Sequence, residues 1–347
     1  MLKTVLFIAL LAFLPSTYAQ YNVIFINPGH ANTNVTGPFW YEVSQLMRDA
    51  AEDFDLNLTI HYANRNHILM KELVADAVKQ SPDMLILVDE KSVLSQQLLN
   101  LPTFNTPVYF LLNRPTDNEL RALKNKGINI AGSVVPDNVQ AGHLLAKQLI
   151  SKAQLPASIY AINGDHTTPA ALDRKTGLEA FTAQHAQVNI AAQGVANWSS
   201  PQAYRQSLGL LTHHPDIQVI WSANDAMALG AIRALNEKKR RTDVLVGAIN
   251  WPLRAAAEKI DVCIGGHVTL GALAMINIHA ILENPKHDVL HQKMAIFRPH
   301  TEETLKFVEQ IHSNTLAINF KVFSKAQKTP RVFSIESLLD EASKNAL

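Results

Sequence analysis

A single cysteine, Cys263, occurs in 347 residues. That excludes an intramolecular disulfide framework and any Cys-x-x-Cys metal cluster. Charge of either sign is not in excess: 31 Lys and Arg face 30 Asp and Glu. The basic footprint of a nucleic-acid-binding surface is therefore missing. Beyond residue 19 no apolar run reaches the ~18 residues that would suggest a membrane span. There is no GxSxG elbow, no GxGxxG, no P-loop and no HExxH. Low-complexity segments and short repeats are absent too. What is present is the composition of an ordinary globular chain, 47% apolar and 18% charged, with length for about two domains.

The first residues form a separate unit. Lys3 gives a short positive start, 6–14 is apolar, and Thr17-Tyr18-Ala19 has the form of a cleavage site. These are the three parts of a secretory signal peptide, expected over 1–19. Its removal takes away Lys3 and leaves acidic and basic residues equal in number. The mature chain, from Gln20, is expected in the periplasm, with Cys263 buried and inert.

Apolar runs then alternate with helical patterns. Strands are expected over 23–26, 56–62, 84–88 and 108–112, and helices over 39–54, 68–80 and 92–99. The pattern restarts with strands over 130–134, 158–162, 191–195, 219–222 and 245–249. Helices fall over 139–153, 170–185, 202–212, 226–237 and 253–259. Continuous apolar strands in βαβ order predict two α/β halves with parallel sheets. The tail is less regular: a helix over 270–282, a strand over 294–298, a helix over 302–312, and edge strands over 317–323 and 331–333.

Ligands of open parallel sheets bind beyond the C-terminal strand ends. Those ends carry Asn27-Pro28-Gly29, Pro38-Phe39-Trp40, Asn113-Arg114, Asn197-Trp198, Asn224-Asp225 and Asn250-Trp251. Amides and guanidinium groups satisfy hydroxyls, and flat rings cover C–H faces, so a small polyhydroxylated ligand fits this chemistry. Asn and Asp at strand ends are also ordinary turn and cap residues.

The segment 217–235, IQVIWSANDAMALGAIRAL, closely resembles the signature of periplasmic binding proteins of the ribose-binding type. Phe39-Trp40, Asp137-Asn138 with Ala141-Gly142, Arg174 with Gly177, and Val246-Gly247 before Asn250 resemble further landmarks of that family, in the same order. The resemblance implies an α/β fold of two Rossmann-like lobes joined by three crossovers, with a ligand cleft between them. By analogy the first lobe spans 20–132 plus 266–297, and the second 133–265 plus 298–347. It also implies that Phe39 and Trp40 stack on the ligand. Asn113, Arg114, Arg174, Trp198 and Asn224 would contact it, Asn250, Trp251 and His267 at the neighbouring strand end and hinge are expected as further ligand contacts, and Asp225 would cap the next helix. Sugar binders of this type usually have Asp where this chain has Asn113 or Asn250, and Gln near His267. Loss of two carboxylate positions makes a phosphorylated, carboxylated or borate-bearing ligand more plausible.

The expected function is thus that of an exported, monomeric, non-catalytic solute-binding protein. It would close on a small polar ligand, sugar-like and open to being anionic, and present it to a membrane ABC permease. A receptor for a sensor kinase or cyclase, similar to the autoinducer-2 branch, is the alternative. An enzyme is disfavoured: His30, His166 and His267 lack obvious carboxylate or nucleophile partners. His287 and His291 are spaced i, i+4 and His213-His214 are adjacent, but a metal site needs three or four ligands, so neither metal nor cofactor is expected. A repressor is disfavoured because a signal peptide stands where its DNA-binding helices would be.

Overall fold

Two six-stranded sheets, built from successive halves of the chain, organise the molecule. The computed structural model describes residues 20–284 and 289–344. The signal peptide expected over 1–19 and His287 lie outside the described residues.

The first half runs β1 (Asn22–Asn27), α1 (Phe39–Asp53), β2 (Asn57–Tyr62), α2 (His67–Gln80), β3 (Met84–Leu87), α3 (Val93–Asn100), β4 (Val108–Leu111), α4 (Asp117–Asn125) and β5 (Ile130–Pro136). The second runs α5 (Asn138–Ile150), β6 (Ala157–Asn163), α6 (Pro169–Ala183), β7 (Val188–Val195), α7 (Ser200–His213), β8 (Val219–Ser222), α8 (Asp225–Glu237), β9 (Leu245–Ile249), α9 (Arg254–Ala257) and β10 (Val262–Gly265). The chain then returns through α10 (Leu270–Glu283) and β11 (Leu290–Met294), and ends in β12 (Arg298–Pro299), α11 (Glu302–Ser313) and α12 (Ile335–Lys344).

The strand orders are β11-β5-β4-β3-β1-β2 and β12-β10-β9-β8-β6-β7. All pairings are parallel except that of β10 with β12. Each sheet therefore repeats one doubly wound order, whose direction reverses between β1 and β3 and between β6 and β8. Such reversals open a crevice at the strand ends. The chain passes between the sheets three times, at 136–138, 265–270 and 294–298. Buried strands such as β3 (MLIL) and β4 (VYFL) have no polar face because helices cover both sides.

Several expectations need correction. Residue 132 is not a lobe edge, since β5 continues in the first sheet to Pro136. The apolar run 294–298 is not one strand: β11 ends at Met294 in the first sheet and β12 starts at Arg298 in the second. Residues 320–323 form a 3₁₀ turn and 331–333 pair with no strand. The tail does not stay on the second lobe. Phe320 and Phe323 are buried, and their turn packs on α1 and α10. The helix α11 packs on α1 while Arg254, in the second half, pairs with Glu302 and Glu309. The helix α4 was not expected, although Thr116 and Glu119 form a capping box that marks its start.

The helices α5 and α6 meet through two glycines. A Cβ at Gly142 would sit 1.8 Å from the Arg174 carbonyl oxygen, and one at Gly177 2.0 Å from the Val139 carbonyl oxygen. Gly177→Ala is expected to destabilise the protein by about 1–3 kcal/mol through overpacking. Gly209→Ala, in a helix with nothing within 4 Å of the new methyl, should stabilise it by roughly 0.5–1 kcal/mol. Denaturant unfolding of both variants checks the pair, and equal stabilities would contradict the close helix approach.

Candidate functional site

The C-terminal strand ends of the two sheets face a shared cavity of about 630 Å³, its solvent-open mouth included. Both lobes line it: Thr36, Phe39, Trp40, Arg65, Glu90, Leu112 and Asn113 from the first, and Thr168, Ala170, Arg174, Trp198, Asn224 and Asn250 from the second. Pro136, Asn138 and His267 stand at the crossovers.

The aromatic walls are set by glycines at equivalent places in the two lobes. The Trp40 indole packs where a Cβ on Gly29, after β1, would lie 2.2 Å away. The Trp198 indole packs in the same way on Gly164, after β6, at 2.3 Å. Asn27 fixes the first of these corners: it accepts from the Gly29 amide and donates to Ser44 Oγ. Phe39 meets Trp40 edge-on at 5.0 Å and stacks on His267 at 4.7 Å.

Strain gathers around the cavity. The lining residues Arg65, Leu112, Trp198 and Asn250 have φ of 61°, 65°, 64° and 138°, and Asn64 and Asn197 beside them are at 52° and 48°. Side chains with a Cβ rarely adopt this region, and its use concentrates at functional sites.

Arg174 is the central polar group. It is fully enclosed, and donates from Nε to Asn138 Oδ1 at 2.9 Å, from Nη1 to the Ala223 carbonyl at 2.6 Å and from Nη2 to His267 Nε2 at 3.0 Å. Its guanidinium carbon lies 5.6 Å from the Trp198 ring centre. Burial lowers its pKa to about 9. Burial, with Arg174 beside it, also pushes His267 well below the ordinary imidazole range. His267 is therefore neutral, and because Nε2 accepts from Arg174 its proton is on Nδ1.

On the first lobe, Arg65 Nη1 donates to Glu90 at 2.7 and 2.9 Å. Burial alone would raise the Glu90 carboxyl; Arg65 and His67 outweigh it and hold it below the usual range. Glu90 begins a turn in which Lys91 and Ser92 are left-handed, at φ 59° and 54°. Lys91 leaves that turn to pair with Asp165 of the second lobe at 2.5 Å. Burial works against the Asp165 carboxylate, but Lys91 and Thr167 hold it at about 2. A second bridge between the lobes runs from the Ser200 amide to the Val35 carbonyl at 3.0 Å.

The cavity brings together Phe39, Trp40, Asn113, Arg174, Trp198, Asn224, Asn250 and His267. Arg114 and Trp251 are not among its lining residues. Arg114 turns to Asp117, at the start of α4, at 2.8 Å. Trp251 is buried and spends its indole N–H on the Arg298 carbonyl of β12 at 3.0 Å. The capping assignment is also reversed. Asn224 caps α8 through the Met227 amide at 2.9 Å, while Asp225 accepts from Asn250 Nδ2 at 2.5 Å. The sequence leaves Glu90, just after the apolar run 84–88, open between the cleft and an exposed loop, and the structure places it in the lining; Arg65, Thr36, Asn138 and Thr168 were not among the expected ligand contacts. Among the described residues no group of three His, Cys, Asp or Glu could hold a metal ion, and no helix is long and apolar enough to cross a membrane.

Comparison with known proteins matches residues 29–257 to the family model of the periplasmic binding protein domain. Ribose import binding protein RbsB of Escherichia coli is 26% identical over 221 residues, covering 63% of this chain and 71% of that protein. The D-apiose import binding protein of Actinobacillus succinogenes is 24% identical over 66% of this chain and 70% of its own. The crystal structure of a periplasmic sugar-binding protein from Pseudomonas fluorescens superposes with a TM-score of 0.79 at 29% identity, covering 92% of this chain and 99% of that one.

Two outcomes follow from the Asn224–Asp225 corner. Asn224→Ala should cost about 0.5–2 kcal/mol of stability through the lost cap, measurable by thermal unfolding. Burial raises Asp225 from 3.8 to about 6, so its contribution to stability is full below pH 4 and is lost as pH rises through 6. Asp225→Asn should flatten the pH dependence of stability between 4 and 6 by up to about 3 kcal/mol. Asp49 and Asp89, also pushed to about 6, keep their own share of the slope. An unchanged slope would contradict the assignment.

Proposed function

The chain belongs to the family of periplasmic binding protein domains, and from that premise we propose that it is an exported, non-catalytic solute receptor of the ribose-binding type. It captures a small polyhydroxylated ligand between its lobes and presents the closed form to the membrane subunits of an ABC permease. The observation that carries this reading is the cavity itself. Aromatic rings, amides and one buried guanidinium converge on it from both sheets, at the crevices where each strand order reverses. Rings cover apolar C–H faces while amides and Arg satisfy hydroxyls. The sugars and pentose-like ligands named for the relatives suit the same chemistry.

Hinge closure accounts for the placement of the interlobe contacts. Lys91–Asp165 and Ser200–Val35 join the lobes outside the cavity, so they exist only when the lobes are together. Ligand and bridges then favour the same state. The relatives are named as binding proteins, which supports a binding role over an enzymatic one.

The test is a thermal-shift screen of the chain from Gln20 against sugars, polyols and their acidic derivatives. A ligand at 100 times its Kd should add about 2.7 kcal/mol of stability. Trp198→Ala should then weaken binding by roughly 1–3 kcal/mol, as expected when a ring that covers the ligand and makes a cation–π contact with Arg174 is removed. Lys91→Met should weaken it two- to five-fold, since a partly exposed ion pair is worth about 1 kcal/mol or less. A folded protein that no member of the panel stabilises would sink the receptor reading.

A further inference from the structure

The two walls of the cavity differ in hydrogen-bonding sense. Besides the Arg65 guanidinium, which is held on Glu90, the first-lobe wall offers acceptors: the Glu90 carboxylate, and Asn113 Oδ1, which is buried and has no donor. The hinge and second-lobe side offers donors. A guanidinium has five N–H groups. Arg174 uses three, on Asn138, Ala223 and His267, and two remain. The Nδ1–H of His267 is buried without a partner.

The charges differ as well. Arg65 is matched within the cavity by Glu90. Every hydrogen-bond partner of Arg174 is neutral, and no carboxylate of the described residues lies within ion-pair distance of it. Asp225 and Asp173 act on it only through space, and Asp225 is engaged by Asn250. Buried charges are normally paired, so one positive charge in contact with the cavity is left for the occupant to match. A single cation with two free N–H groups suits one planar carboxylate, which the guanidinium fork binds through two parallel bonds. A phosphoryl group would bring close to two negative charges and leave part unmatched.

Resting on the reading of this cavity as the ligand site, we propose that the ligand is a polyhydroxylated carboxylate, a sugar acid rather than a neutral sugar. Its carboxylate lies on the Arg174 and His267 side, and its hydroxyl donors face Asn113 and Glu90. The aromatic rings of Phe39, Trp40 and Trp198 cover the carbon skeleton between these ends.

Isothermal titration of the purified chain from Gln20 tests this with matched sets: ribose, ribonate and ribose 5-phosphate; galactose, galacturonate and methyl galacturonate; glucose and gluconate. The expected result is one set in which the carboxylate binds at least ten-fold more tightly than its uncharged or phosphorylated counterparts. In Arg174→Gln that preference should fall to near unity. Because this variant also loses structural bonds, the wild-type comparison of acid with methyl ester stands alone as the decisive reading. An aldose, ester or phosphate that binds as tightly as the acid overturns the proposal and leaves the receptor reading intact. A folded protein that binds no member of any set overturns both.

Discussion

The buried guanidinium of Arg174 is the interaction on which the cleft depends. It ties the first turn of α5, the end of β8 and the crossover at His267 into one polar junction. Those are the places where the chain enters the second lobe, where that lobe presents its strand end, and where the chain leaves it. Removal of water from a charge is costly, and each neutral partner offsets part of that cost. The same bonds decide the tautomer of His267 and so the donor it holds beside Phe39. A merely structural cation would end its bonds inside the protein; this one keeps N–H groups at a cavity wall.

Around that junction the two lobes use one local solution twice. In each, the first strand ends in a glycine that receives a tryptophan ring, and the neighbouring strand across the switch point supplies the polar groups. The glycines allow rings to lie against backbone, which makes the aromatic walls rigid. The strained residues sit beside them, so the surrounding packing holds side chains where a relaxed turn would not. The turn at Glu90 shows what this arrangement links. One residue lines the cavity, and the next reaches across the mouth to Asp165.

Most of the architecture was legible in the sequence because its strands are apolar on both faces. The runs at 84–88, 108–112 and 219–222 leave no alternative to a doubly covered parallel sheet. The tail was not legible for the opposite reason: its apolar residues at Phe320 and Phe323 fill a surface made by α1 and α10, which no local period reveals. In the site, Arg174 and Trp198 could be read from the family resemblance. Glu90 could not, because its entry to the cavity depends on a left-handed turn and on a distant arginine, Arg65. Trp251 and Arg114 were misplaced by the same kind of long-range partner. The carbonyl of Arg298 claims the indole, and Asp117 claims the guanidinium.

On the proposed reading, ligand in this cavity draws the two lobes together, with Arg174 at the junction and the Lys91–Asp165 pair between the lobes. Small-angle scattering of the protein, with and without a saturating ligand found by titration, reads that closure. The expected result is a smaller radius of gyration on binding, and a ligand-bound curve that matches the closed arrangement of the present structure. A saturated complex whose scattering is identical to that of the free protein, with both more extended than this structure, would contradict it.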